Sequence, residues 1–133
     1  MRAVHRLSLV MGVLMLCAAA HAGAQAYPTK PIRLIVPSAS GGSPDMMARY
    51  FSNEASKTLG QTIVVDNRPG AGNLIGFEAV ARAPGDGYTI GLGVFSLSAN
   101  PSLYRKLPYD YARDFQPVAH LYNSVNQIGR AHV

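Results

Sequence analysis

The sequence has no tryptophan and one cysteine among 133 residues, and only 14% of it is charged. Cys17 falls in the apolar leader described below, so a disulfide scaffold and a thiolate metal site are both excluded downstream of it. Histidine is nearly as sparse. Once His5 and His21 are set aside with the leader, His120 is the only one ahead of the last few residues. No cluster of histidines and carboxylates has metal-ligand spacing, and neither metal nor cofactor is expected. Long apolar runs are also missing: beyond the first twenty-odd positions nothing is long enough to span a bilayer. A hydrophobic share of 48% is nonetheless too high for a disordered chain, so one small globular domain is the expectation.

Residues 1–26 read as a secretory signal peptide. Arg2, His5 and Arg6 make a basic start, Leu7 to Ala20 an apolar core, and AHAGAQA offers cleavage after Ala24 or Ala26. Cys17 follows Leu16, where a lipoprotein site would need a small residue. Removing Arg2 and Arg6 lowers the formal charge from +5 to +3. The remaining cations, from Lys30 to Arg130, are dispersed among acids without a basic stripe, so no nucleic-acid partner is expected.

From residue 27 the pattern is strand, loop, helix, repeated. Ile32, Leu34, Ile35 and Val36 form a short branched run ending at Pro37, which predicts a buried strand. SASGGS is a loop. Ser43 as N-cap, Pro44 as first helical residue and Asp45 in the first turn are start signals for a helix in which Met47, Tyr50, Phe51, Ala55, Thr58 and Leu59 recur at helical spacing until Gly60. QTIVVD is a second strand, NRPGAG a second glycine-rich loop, NLIGFEAVARA a second helix, PGDG a turn and YTIGLGV a third strand. This succession predicts an α/β fold on a parallel sheet with right-handed crossovers. A short helical turn near Ser102 to Arg105 and an extended segment over Phe115 to Leu121 are expected after it.

In an open parallel sheet, ligands bind beyond the carboxyl ends of the strands, where both glycine-rich loops lie. Each leads into a helix whose unpaired N–H groups and dipole favour an anion. Gly41, Gly42, Gly70 and Gly72 let a ligand approach the backbone. Two converging termini would hold a carboxylate without an arginine, although each loop could equally be a tight βα turn. Asp45 has two readings: complementing the helix dipole, or accepting from a ligand hydroxyl or amine. Ser96, Ser98 and Asn100 follow the third strand and either donate to a carboxylate or cap the turn at Ser102. Gly70 to Gly76 only superficially resembles a dinucleotide fingerprint, its third glycine being one residue late. The alternative function is an exported serine hydrolase using Ser40 or Ser43 with His120, but the nucleophile-elbow pattern is absent.

The stretches YPTKPIRLIVPSASGGSPDMMAR, IVVDNRPGAGNLIG, PGDGYTIGLG and NPSLYRKLPYDYARDFQPV, in that order, resemble the start of the Bug or TctC family. These are periplasmic solute receptors of tripartite tricarboxylate transporters, and the resemblance covers residues 27–122. It implies a lobe of a periplasmic-binding-protein-like, type II Venus-flytrap receptor, not an enzyme. Such a receptor closes on a small organic anion, a di- or tricarboxylate or similar, and delivers it to the transporter's membrane components. The family's ligand loops map onto Pro37 to Asp45, Gly70 to Gly76 and Val94 to Asn100. The implied ligand-binding residues are Ser38, Ala39, Gly41, Gly42, Ser43, Asp45, Ala71, Gly72, Asn73, Gly76 and Ser96. SAS in the first loop, FSLSAN in the third and Tyr111 after Tyr-Asp depart from the pattern of many relatives.

Gln127 to Val133 (QIGRAHV) resembles nothing in the family and matches what a common short-read sequencing adapter encodes in this frame. The expectation is that Ile128 to Val133 are read-through, and that the chain is cut before a second lobe.

Overall fold

The computed structural model describes residues 27–123, so the leader and the adapter-like tail lie outside the described residues. Strand β1 (Ile32–Val36) leads to helix α1 (Ser43–Leu59), then β2 (Ile63–Asn67). A 3-10 turn (Ala71–Asn73) opens α2 (Leu74–Ala81), followed by β3 (Thr89–Gly91) and α3 (Phe95–Leu103). The three strands form one sheet in the order β2-β1-β3, with both pairings parallel, as the repeating pattern predicts.

The central position of β1 follows from its composition. Ile32, Leu34, Ile35 and Val36 are all buried, as a parallel strand covered on both faces requires. Ile32, Leu34 and Val36 join Ile63, Leu92 and Ala48 of α1 in one core. Ile35 sits in register with Gly91, over which the Val80 side chain of α2 packs so closely that a Cβ at 91 would lie 2.6 Å from it. The two helices therefore cover opposite faces, and each fully buried aliphatic side chain contributes about 1.5–3 kcal/mol.

Helix α1 differs from its predicted detail in two ways. Its N-cap is Gly42, not Ser43, and no side chain caps it; Ser43 is the first helical residue, and Asp45 instead reaches back to the Gly41 N–H. The face turned to the sheet keeps the expected Phe51 and Ala55, both packed against the core, but its fully buried residues are the small or polar Asp45, Ala48 and Ser52, while Tyr50 is 67% exposed. Close approach of helix to sheet selects small residues there, which a count of large apolar side chains does not register. At the other end Gly60 takes a left-handed φ of 67° and its N–H closes the helix on the Ser56 carbonyl, as its position predicts.

Residues 95–103 overturn the expectation of a Ser/Asn-rich loop with a short turn at Ser102 to Arg105: they form α3, with Pro101 inside it. A residue before proline is biased away from helix, but Asn100 is buried and bonded from α3 to two other segments, and these tertiary bonds outweigh the local bias. Phe115 to Leu121, expected to be extended, pairs with no strand among the described residues. At the start, Tyr27 packs edge-on against Tyr88, and its hydroxyl donates to the Gly87 carbonyl at 2.6 Å. Lys30 lies over the same Tyr88 ring at 4.2 Å, fastening the first segment to the turn before β3.

Candidate functional site

The carboxyl ends of β1, β2 and β3 open into three segments that each start a helix. The first, Pro37 to Gly42, is held by a network of side chains. The Asp45 carboxylate accepts the Gly41 N–H at 2.8 Å and the Arg49 Nε–H at 3.1 Å. Asn67, at the end of β2, donates to the Ser38 carbonyl at 3.1 Å, and its own oxygen accepts from the Ser40 hydroxyl at 3.1 Å and from Arg49 at 3.3 Å. The hydrogen bonds from Arg49 and Gly41 hold the Asp45 carboxyl at about 2, below its ordinary 3.8, against the opposing pull of burial. Asp45 thus stays ionised and is spent on the loop itself.

This arrangement leaves Ala39, Gly41, Gly42 and Ser43 exposed at the start of α1. The Ser38 hydroxyl is shielded from solvent and has no hydrogen-bond partner among the described residues. Such a group gains by meeting a ligand oxygen or a bridging water.

The second segment is built from backbone strain. Gly70, Ala71, Gly72 and Asn73 all have positive φ, at 124°, 47°, 64° and 72°. Two of the four are not glycine, and each such residue costs roughly 1–2 kcal/mol in the left-handed region. Side chains from α3 hold the turn in place: Asn73 Nδ2 donates to the Ser96 hydroxyl at 2.7 Å, and Asn100 Nδ2 donates to the Gly72 carbonyl at 3.2 Å. Tyr104 covers Gly72 so closely that a Cβ there would meet its hydroxyl at 2.6 Å.

The structure sorts the residues the sequence singled out. Ser38, Ala39, Gly41, Gly42 and Ser43 share the first loop, Ala71, Gly72 and Asn73 share the second, and Ser96 is joined to the second through Asn73. Gly76 stands apart. It is buried in α2, where a Cβ would lie 2.7 Å from Pro37 Cα, so it serves the approach of α2 to the end of β1 instead of facing a ligand. Asp45 faces Gly41 and Arg49. Ser40 is committed to Asn67, and no hydrogen bond joins Ser40 or Ser43 to His120 among the described residues. Asn67, Tyr104 and Tyr109 have no part in the sequence reading of the site, whereas Asn100 enters it as a possible carboxylate donor; its side chain is committed to Gly72 and Tyr109 instead. Asn67 and Asn100 carry a local signal, each being the amide that directly follows a strand or precedes a proline in an otherwise apolar or hydroxyl-rich stretch.

Chemically, the two loops offer backbone donors, helix N-termini and hydroxyls, while the guanidiniums of Arg49 and Arg68 are already paired, with Asp45 at 3.1 Å and Asp66 at 3.0 Å. That set suits an anion recognised by dipoles and N–H groups more than by a counter-charge. Among the described residues no three His, Cys, Asp or Glu side chains are placed to hold a metal. A shallow depression over Arg33, Val64 and Asp66 lies on the outer face of β1 and β2, away from all three loops. There Asp66 is tied to Arg33 and Arg68.

Comparison with known proteins converges on one group. A family model described as the tripartite tricarboxylate transporter family receptor, TctC, matches residues 47–129. The protein BugT of Bordetella pertussis is 42% identical over 118 residues, covering 86% of this chain and 36% of BugT. The structure of MatC from Rhodopseudomonas palustris with bound malate is 40% identical with a TM-score of 0.68, over 71% of this chain and 33% of MatC. That of Rpa4515 from R. palustris with adipate is 41% identical with a TM-score of 0.62, over 65% of this chain and 29% of the other. The chain spans about a third of the length of the curated relatives it matches. With more than half of its residues matched by the family model, and its parallel sheet shared with solved periplasmic binding proteins, the chain belongs to the TctC family of tripartite tricarboxylate transporter receptors.

Proposed function

We propose that this chain forms the ligand-bearing part of the first lobe of a periplasmic receptor that binds a small organic carboxylate for a tripartite transport system. The observation that carries this reading is the pair of loops at the ends of neighbouring strands β1 and β2, each opening a helix with exposed backbone donors. The carboxylate would sit across Ser38 to Ser43 and Ala71 to Asn73, partly through water, with Ser96 alongside. Relatives whose structures contain malate and adipate support the ligand class. Export after cleavage near Ala24 or Ala26 and delivery to membrane components of the transporter belong to the same proposal.

A cleft needs two walls, and the described residues supply one. The proposal therefore places the second wall in sequence that follows this lobe in a longer product, and expects weak binding by residues 27–122 alone. In the full-length receptor, malate or adipate is expected to raise the melting temperature, because a ligand that binds only the folded state stabilises it. No shift across a panel of small organic acids, with a shift given by sugars or cations, would overturn the reading. A serine-reactive probe is expected to leave Ser40 and Ser43 unlabelled; labelling would favour hydrolysis.

A further inference from the structure

Asn100 is one of three buried polar residues on the described chain, only 2% exposed, and it has no part in the helix it occupies beyond its backbone. Its amide nitrogen faces two partners: the Gly72 carbonyl at 3.2 Å and the Tyr109 hydroxyl at 3.4 Å. Tyr109 is itself buried and wedged edge-on between Phe77 of α2 and Phe115, with ring centroids 6.0 Å and 5.3 Å away. The amide is thereby aimed at one carbonyl in the middle of the left-handed run from Gly70 to Asn73.

A peptide unit is planar and trans, so fixing the Gly72 carbonyl also fixes the direction of the Asn73 N–H and the entry angle of α2. We infer that Asn100 is a positioning residue for ligand binding: from α3, without being among the groups proposed to touch ligand, it holds the second loop in its left-handed form through Gly72. Tyr109 sets the amide's direction, and Tyr104 covers the same glycine from outside. A run of positive φ that includes Ala71 and Asn73 relaxes to ordinary backbone when unsupported, and the donor array at the start of α2 is lost with it.

The ligand arm of this inference rests on the carboxylate-binding reading, so the test has a second arm that needs no ligand. In the full-length receptor, Asn100→Asp and Asn100→Ala are compared with Tyr109→Phe by amide hydrogen exchange and by calorimetric titration with malate and with adipate. Both Asn100 variants are expected to speed exchange at Leu74, whose N–H closes the turn on the Ala71 carbonyl, at least about tenfold, and to leave Gly41 unchanged. Where the unsubstituted receptor binds malate or adipate, affinity falls by a similar factor. Tyr109→Phe gives the same pattern a few-fold weaker, and it decides the matter if neither Asn100 variant folds. Equal acceleration at Gly41 and Leu74, as a general loss of stability gives, overturns the inference, as does unchanged exchange at Leu74. An unsubstituted receptor that binds neither acid would count against the carboxylate reading alone.

Discussion

The two glycine-rich loops look alike in sequence and are held by different physics. The loop after β1 has ordinary backbone apart from Gly41, and its shape is enforced by charge and amides: Asp45, Arg49 and Asn67 converge on it. In the loop after β2, the Gly70 to Asn73 run has four successive positive φ values and, among the described residues, no carboxylate hydrogen-bonded to it; α3 holds it by Asn100 and Ser96. One loop is tied by a hydrogen bond to a carboxylate of the helix it precedes, the other by neutral hydrogen bonds to a helix that comes later. Equal glycine content therefore says little about how a binding loop is maintained, or about what would loosen it.

That contrast can be broken at several points. The largest effect is expected from Gly76→Ala, whose new methyl would lie 2.7 Å from Pro37 backbone and 3.0 Å from the Arg68 carbonyl; destabilisation of about 1–3 kcal/mol should appear in denaturant unfolding. Gly72→Ala should come next. It adds a left-handed penalty of roughly 1–2 kcal/mol and must displace the Tyr104 hydroxyl, so carboxylate affinity falls together with stability. Gly42→Ala is the control, since its nearest neighbours are 3.6 Å and 3.7 Å away and the fold should tolerate it.

Acid should separate the loops without any substitution. The Asp45 carboxyl is depressed to about 2, so the stability it contributes is fully present above its unfolded value near 3.8 and is lost as pH falls from about 4 toward 2. Protection of the Gly41 N–H, taken relative to its intrinsic exchange rate, is expected to fall across that window ahead of that of Leu74; Asp45→Asn should produce the same difference at neutral pH. Simultaneous acceleration at both loops would mean that they are one unit. Smaller and opposite in sign, Ala71→Gly should stabilise the receptor by up to about 1 kcal/mol by relieving a φ of 47°, and show as a higher melting temperature. Ser40→Ala should cost about 0.5–1.5 kcal/mol in denaturant unfolding, for one hydrogen bond to Asn67.

What could be read from the residues followed local signals. The branched run at Ile32 to Val36 announces a central strand, Gly60 a helix stop, and the two glycine clusters the positions of the βα loops. Helix α3 was hidden because its evidence is not local: the Asn100-Pro101 pair argues against helix, and only the bonds of Asn100 to Gly72 and Tyr109 reverse that. The buried stripe of α1 was legible only in part, at Phe51 and Ala55, since Ala48 and Ser52 are selected by closeness to the sheet and not by hydrophobicity. In the site, the glycines were visible and Asn100 only as a possible ligand donor; that Asn67 and Asn100 set the loops depends on partners 29 and 28 positions away.

The order β2-β1-β3 carries a last consequence. The strand made first is the middle one, and both of its neighbours arrive later, the second only when residues 89–91 have followed. As the chain emerges from its amino end, Ile32 to Val36 are an apolar segment with two unpaired edges and nothing to pair with for tens of residues. Non-local pairing of this kind is slow to nucleate and open to wrong partners while it waits. The full three-stranded sheet of this topology can therefore assemble only once β3 has been made.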